Sequence, residues 1–133
     1  MTVLDGSALS SLVLGGPDAE RLADRLEGAK QRVTHPLAVH AATAAIARET
    51  GRPIDAAYRD LADMMAAAEI ELVAVGQPET VTALEAYARY GKGGKHPAQL
   101  NMEECFSYAI ARLRSADLVY AGEAFAATDL ARS

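Results

Sequence analysis

Short apolar runs that alternate with helical segments are the feature of this sequence that most restricts its fold. Four runs rich in β-branched or other apolar residues, at 2–4, 31–34, 71–75 and 117–120, predict strands. Between them, apolar residues recur every three to four positions, which predicts helices. This alternation favours an α/β layer fold with a short, mostly parallel sheet of about four strands.

The predicted helices have recognisable ends. They span residues 8–14, 17–29, 36–50, 54–68, 78–90 and 102–114, and a last helical turn is predicted at 123–127. Pro17, Pro36 and Pro78 occupy first helical positions, Gly51 follows the third helix, and Asn101 is an N-cap residue. Such signals fix where helices begin and end more firmly than propensity alone.

Length and composition limit the possible classes of protein. With 133 residues, half of them hydrophobic, the chain is predicted to form one folded domain over 1–133. Its net charge of -5 argues against binding nucleic acid by bulk charge. The single Cys105 excludes an internal disulfide, and no segment is apolar enough for export or membrane insertion. We therefore expect a cytoplasmic protein.

Acidic residues follow predicted strands or begin a predicted helix. Asp5 follows the first strand, Glu123 and Asp129 follow the last, and Glu103 and Glu104 begin a helix. Because ligands of open parallel sheets lie beyond the carboxyl ends of the strands, these carboxylates are expected to converge on one edge. Hard divalent cations bind such oxygen donors.

Three stretches resemble the motifs of PIN-domain proteins, in particular VapC toxins. Residues 90–109, YGKGGKHPAQLNMEECFSYA, are similar to the family stretch YGKG…HPAxLNFGDCFAYA. Residues 3–9, VLDGSAL, resemble VIDTSAL, and residues 122–130, GEAFAATDL, resemble GDDFxxTDI. The resemblance implies a three-layer α/β/α fold, a carboxylate cluster that binds Mg²⁺ or Mn²⁺, RNA cleavage, a cognate antitoxin and a homodimer.

The family's four acids are carried over unevenly. Asp5 stands at the first position, and Glu104 replaces the Asp of GDC at the third. The second and fourth positions are Ala41 and Ala124. The resemblance thus implies Asp5 and Glu104 as catalytic residues. It also implies a weakly bound metal held by these two and by the remaining acids, Glu123 and Asp129.

Structural roles compete with these assignments. Asp5 could form an Asx turn, and Glu104 lies three residues after Asn101, the spacing of a capping box. His40, beside Ala41, could replace the missing base or ligand, or could simply be a packed or surface histidine.

Two binding surfaces are predicted as well. Ser7 matches a hydroxyl that supports the first acid in the family and, with Arg89, Lys92 and Lys95, is predicted to contact RNA, although the lysine-bearing loop could merely be solvated. On the helix at 54–68, an adaptable apolar surface for an antitoxin is predicted at Leu61, Met64 and Met65.

Three functional hypotheses remain. The first is a VapC-type toxin, a metal-dependent endoribonuclease. The second is a PIN-fold protein that binds antitoxin or RNA with little or no cleavage, because the acids at positions 41 and 124 are missing. The third is an enzyme that uses another cation, with His40 favouring Mn²⁺ or a later transition metal.

Overall fold

A computed structural model describes residues 1–130, so the last three residues of the predicted domain lie outside the described part. Four strands are present: β1 (Thr2–Leu4), β2 (Arg32–Thr34), β3 (Ile70–Leu72) and β4 (Asp117–Val119). The helices are α1 (Gly6–Leu14), α2 (Ala19–Glu27), α3 (Pro36–Thr50), α4 (Ile54–Ala67), α5 (Gln77–Tyr90) and α6 (Met102–Leu113).

The strands form one sheet in the order β3-β2-β1-β4, and all neighbouring strands are parallel. Adjacent residues of β1 point to opposite faces: Val3 joins a core with α5 and α6, and Leu4 joins a core with α1 to α4. In β4, Leu118 likewise joins the core with α5 and α6, and Val119 joins the core with α1 to α4. The predicted three-layer α/β/α arrangement with a parallel sheet is therefore confirmed.

Local hydrogen bonding corrects the start of one predicted helix and replaces one predicted helical turn. The first helix begins at Gly6 rather than residue 8, because the Asp5 side chain accepts a hydrogen bond from the Ser7 amide and caps it. The predicted helical turn at 123–127 is wrong. Separate turns form there, closed by hydrogen bonds from the Ala126 amide to the Glu123 carbonyl and from the Thr128 amide to the Phe125 carbonyl.

No helix within residues 1–130 combines the length and the apolar character that crossing a membrane requires.

Candidate active site

Asp5 lies at the carboxyl end of β1, one of the two central strands of the sheet. Its side chain is buried, with 1% of the residue exposed. One carboxylate oxygen, Oδ2, accepts hydrogen bonds from the Ser7 amide at 3.0 Å and the Ser7 hydroxyl at 2.6 Å. The other, Oδ1, accepts one from the Ser107 hydroxyl at 2.6 Å. Three donors thus hold this carboxylate in one orientation.

Glu103 brings a second carboxylate to the same place. It lies in the first turn of α6, and its Oε2 accepts a hydrogen bond from the Gly6 amide at 3.1 Å. The same oxygen lies 2.9 Å from the Ser107 hydroxyl, which also contacts Asp5. Since one hydroxyl touches both acids, their carboxylates are close neighbours.

A buried histidine completes the network. The Ala38 amide donates to Nδ1 of His35, so the ring carries its proton on Nε2 and donates it to Ser107 Oγ at 2.8 Å. The Ser107 hydroxyl then has its single proton free for the 2.6 Å bond to Asp5. His35 therefore fixes the direction in which Ser107 donates.

Burial decides how these groups are protonated. Burial, and then the negative charge of Asp5, raise the pKa of Glu103 to about 9. Burial lowers the pKa of His35 to about 4, so this imidazole is neutral near pH 7. Glu103 therefore retains its proton near neutral pH.

A cavity of about 590 Å³ between α3 and α6 opens onto Glu103. Ala41 and His40 of α3 line it together with Glu103. His40 is exposed. The cavity gives a ligand access to Glu103 from the side of the missing second acid, and Asp5 lies behind it, buried.

Glu104, the predicted third acid, caps α6. Its Oε1 accepts a hydrogen bond from the Asn101 amide at 2.8 Å, and its own amide donates to Asn101 Oδ1 at 2.8 Å. This is the capping box that the spacing allowed. Burial raises the pKa of Glu104, and the charge of Asp5 adds to this, so the two groups are not remote.

The remaining predicted acids, Asp129 and Glu123, make no hydrogen bond to the network around Asp5 in the described part of the chain. Asp129 accepts hydrogen bonds from the hydroxyls of Tyr90 and Tyr108, at 3.2 and 2.7 Å, and pairs with Arg112 at 3.1 Å. Glu123 is exposed in the turn after β4. Within residues 1–130, no three His, Cys, Asp or Glu side chains are grouped so that they could hold a metal ion. The predicted set of four metal-binding acids is therefore not assembled.

Replacing Asp129 with Ala is expected to lower the free energy of unfolding by about 1–3 kcal/mol, because two tyrosine hydroxyls and Arg112 lose their acceptor. Urea denaturation measures this change. The exposed Asp63→Ala on α4 is the control and should change stability by less than about 0.5 kcal/mol. An equally small change in Asp129→Ala would show that its network does not stabilise the fold.

The predicted RNA-binding residues have different environments. Ser7 is a support for Asp5 rather than a free RNA contact, because its hydroxyl donates to Asp5 and accepts from the Ala121 amide at 3.1 Å. Arg89 is exposed, with its guanidinium 4.8 Å from the centre of the Tyr90 ring. Lys92 and Lys95 are exposed in the loop between α5 and α6.

The predicted antitoxin surface is corrected at one position. Leu61 is completely buried and cannot contact a partner. Met64 and Met65 are half-buried and pack against the core formed with α1 to α4. Met64 also lines a surface cavity of about 340 Å³ beside Leu12 and Leu26.

The donor set of Asp5 and Glu103 can be compared with the needs of the predicted Mg²⁺ or Mn²⁺. Both supply hard carboxylate oxygens, and both contact the Ser107 hydroxyl. Ionisation of Glu103 beside Asp5 would place two negative charges together, and a bound cation would offset their repulsion. The residues thus fit such a cation in chemical type, and two carboxylates instead of four predict weak binding, with water supplying the other ligands.

Sequence reasoning did not predict Ser107 or His35 as site residues, and it placed Glu103 only among the carboxylates expected at this edge of the sheet, not among the assigned catalytic or metal-binding residues. His35 precedes Pro36 at the N-cap of α3, so its position suggested only a helix end. Glu103 could have been noticed as a charged residue where the quoted family motif has Gly. Ser107 lies one turn further along α6, and no motif or spacing in the sequence marks it as a site residue.

Comparison with known proteins agrees with the fold and the motifs. The family model described as "PIN domain" matches residues 2–130. Ribonuclease VapC of Mycolicibacterium smegmatis is 36% identical over 129 residues, which cover 97% of each chain. Ribonuclease VapC30 of Mycobacterium tuberculosis is 35% identical over 129 residues, covering 97% of this chain and 95% of the relative.

A solved structure has the same fold. The M. tuberculosis toxin VapC20, described as cleaving the sarcin-ricin loop, matches with a TM-score of 0.75 over 97% of this chain and 95% of its own. Its sequence is 14% identical, so this likeness concerns the fold alone. The sequence relatives and the family model together establish that the chain belongs to the PIN-domain family, among the VapC ribonucleases.

Proposed function

We propose that this protein is a VapC-type toxin, a metal-dependent endoribonuclease held in check by a cognate antitoxin. The observation that carries the proposal is the buried carboxylate pair of Asp5 and Glu103 at the carboxyl edge of the parallel sheet. Relatives of nearly equal length are named ribonucleases. Burying two carboxyl groups side by side is unfavourable, as the raised pKa of Glu103 reflects, and binding a cation would offset that cost.

Mg²⁺ or Mn²⁺ is the proposed cofactor. When bound, such a cation can activate water for attack on a phosphodiester and neutralise charge that develops on the phosphate. Ser7 and Ser107 keep the Asp5 carboxylate oriented toward the site through hydrogen bonds of 2.6 Å each. His35 maintains the Ser107 orientation by donating from Nε2.

RNA would be attracted by local rather than overall charge. Arg89, Lys92 and Lys95 are exposed cations on the end of α5 and the following loop, in a chain whose net charge is -5. Their side chains can contact phosphates and orient the backbone. Because Glu103 retains its proton near neutral pH, the site repels the phosphate less than it would with this group ionised.

The purified protein is expected to cleave a mixed RNA pool slowly at millimolar Mg²⁺ or Mn²⁺, because only two carboxylates hold the cation. Gel analysis of the RNA before and after addition of EDTA measures this. Cleavage that continues in EDTA would contradict metal dependence. No cleavage with any divalent cation would favour the non-cleaving alternative, whereas activity restricted to Mn²⁺ or a later metal would favour the proposed use of His40.

The proposed antitoxin surface includes Met64 and Met65 but not Leu61. Binding of the cognate antitoxin is expected to slow amide hydrogen exchange in residues 54–68, because a docked apolar segment excludes water from the exposed side of α4. Mass spectrometry of the complex and of the free protein measures this. Exchange in α2 provides an internal comparison. Unchanged exchange in 54–68 would contradict this surface.

We also propose a homodimer. Three large apolar side chains on α5 are exposed, with Val81 at 48%, Leu84 at 63% and Tyr87 at 50%. A monomer of this size does not need such a stripe, and burial against a second copy would remove it from water.

A further inference from the structure

We propose that Glu103, together with Asp5, holds the divalent cation of this nuclease, and that Glu104, at the family's acidic position, serves as a helix cap. The inference rests on the proposed function because it assigns the metal of that same site. Glu103 and Glu104 are adjacent on α6, and the direction of each side chain decides which of them serves the site.

The contacts of Glu103 point into the site. Its Oε2 accepts from the Gly6 amide at 3.1 Å and lies 2.9 Å from Ser107 Oγ, the hydroxyl that also binds Asp5. Its side chain is 13% exposed, so it is mostly buried. Asp5 and Glu103 thus both contact one hydroxyl, which places their carboxylates close enough to serve the same cation.

The contacts of Glu104 point back along its own helix. Both hydrogen bonds of its capping box, at 2.8 Å each, are made with Asn101, which is solvent-exposed. Glu103 also accepts from an amide at a helix N-terminus, but that amide belongs to Gly6, next to Asp5, whereas the amide that Glu104 binds belongs to its own helix cap. Glu104 therefore already has a sufficient structural role.

Close packing around Gly6 supports the position of Glu103. A Cβ atom at Gly6 would lie 3.2 Å from Glu103 Cδ and 3.1 Å from the Ala38 carbonyl oxygen, so the small residue permits the close approach. Glu103 also lines the same cavity as Ala41, where the family's second acid is missing. Its long side chain thus supplies a carboxylate to the cavity that would otherwise lack one.

The test is Mn²⁺ binding to three proteins: wild type, Glu103→Gln and Glu104→Gln. Binding is measured by electron paramagnetic resonance as the loss of the signal of free Mn²⁺. Glu103→Gln is expected to weaken Mn²⁺ affinity by about tenfold or more, because a neutral amide replaces one of two carboxylate donors. Glu104→Gln is the matched control, since Gln also completes a capping box, and should bind within about twofold of wild type. The Mn²⁺-dependent rise in melting temperature provides a second measurement.

Three results would overturn the assignment: lost affinity in Glu104→Gln, unchanged affinity in Glu103→Gln, or a wild type that binds no Mn²⁺. RNA cleavage by the same proteins separates this inference from the proposed function. If wild type binds Mn²⁺ through Glu103 but cleaves no RNA, the proposed function fails and the inference stands. If wild type cleaves RNA and Glu103→Gln binds Mn²⁺ equally well, the inference fails and the function stands.

Discussion

Replacing Asp5 with Asn is expected to reduce RNA cleavage at least about a hundredfold, which corresponds to roughly 3 kcal/mol of lost transition-state stabilisation. Asn removes the charge of the carboxylate at the end of β1 and leaves Glu103 as the remaining site acid. Cleavage of a defined RNA, measured under single-turnover conditions at saturating Mg²⁺, gives the comparison with wild type.

The same variant should stay folded. An Asn side chain keeps an oxygen that can accept from the Ser7 amide, so the cap of α1 is retained. Removal of a like charge beside Glu103 also relieves repulsion in the buried pair. The melting temperature should therefore not fall in proportion to the activity.

Asp60→Asn is the matched control, since Asp60 forms a partly exposed ion pair with Arg52. It should cleave RNA like wild type. If Asp5→Asn kept wild-type activity while folded, Asp5 would have no part in the chemistry.

Most helices and strands could be predicted from the sequence because their signals are local. Predicted and observed bounds of α3 agree at both ends, since Pro36 and Gly51 mark where it starts and stops. The error at 123–127 has a local cause that periodicity does not reveal. The buried Phe125 carbonyl accepts from both the amide and the hydroxyl of Thr128, which closes a turn instead of continuing a helix.

The site was predicted less completely because the residues that contact one another there are distant in sequence. Asp5 was identifiable because it follows a predicted strand and stands at the first acidic position of the family motif. The choice between Glu103 and Glu104 could not be made from the sequence, since the Gly6 amide that binds Glu103 lies 97 residues away along the chain. Asn101, which binds Glu104, is only three residues away, so the capping role was the one visible in the sequence.

Glu103→Gln is expected to raise the free energy of unfolding at pH 7 by about 1–3 kcal/mol in the absence of metal. Burial and the Asp5 charge raise the pKa of Glu103 from 4.5 to about 9, so the folded protein retains a proton that the unfolded chain releases. Stability therefore falls as pH rises from about 4.5 toward 9 in wild type. Gln does not ionise and avoids this loss.

The Gln side chain can also preserve the hydrogen bonds. Its carbonyl oxygen can accept from the Gly6 amide, and its NH₂ group can donate to Asp5, as the protonated carboxyl of Glu103 does in wild type. The packing around Gly6 should change little because Glu and Gln have nearly the same shape. Charge is then the main difference between the two proteins.

Urea denaturation of wild type and Glu103→Gln at pH 5, 7 and 8.5 with EDTA measures the effect, and the stability difference should grow with pH. Glu79→Gln is the control, because Glu79 caps α5 at the surface by accepting from the Gly76 amide at 2.6 Å. Its stability relative to wild type should depend little on pH. A Glu103→Gln protein no more stable than wild type at pH 8.5 would show that the buried carboxyl carries no ionisation cost. A stabilised Glu103→Gln that has lost Mn²⁺ binding would mean that this carboxylate is retained for function at the expense of stability.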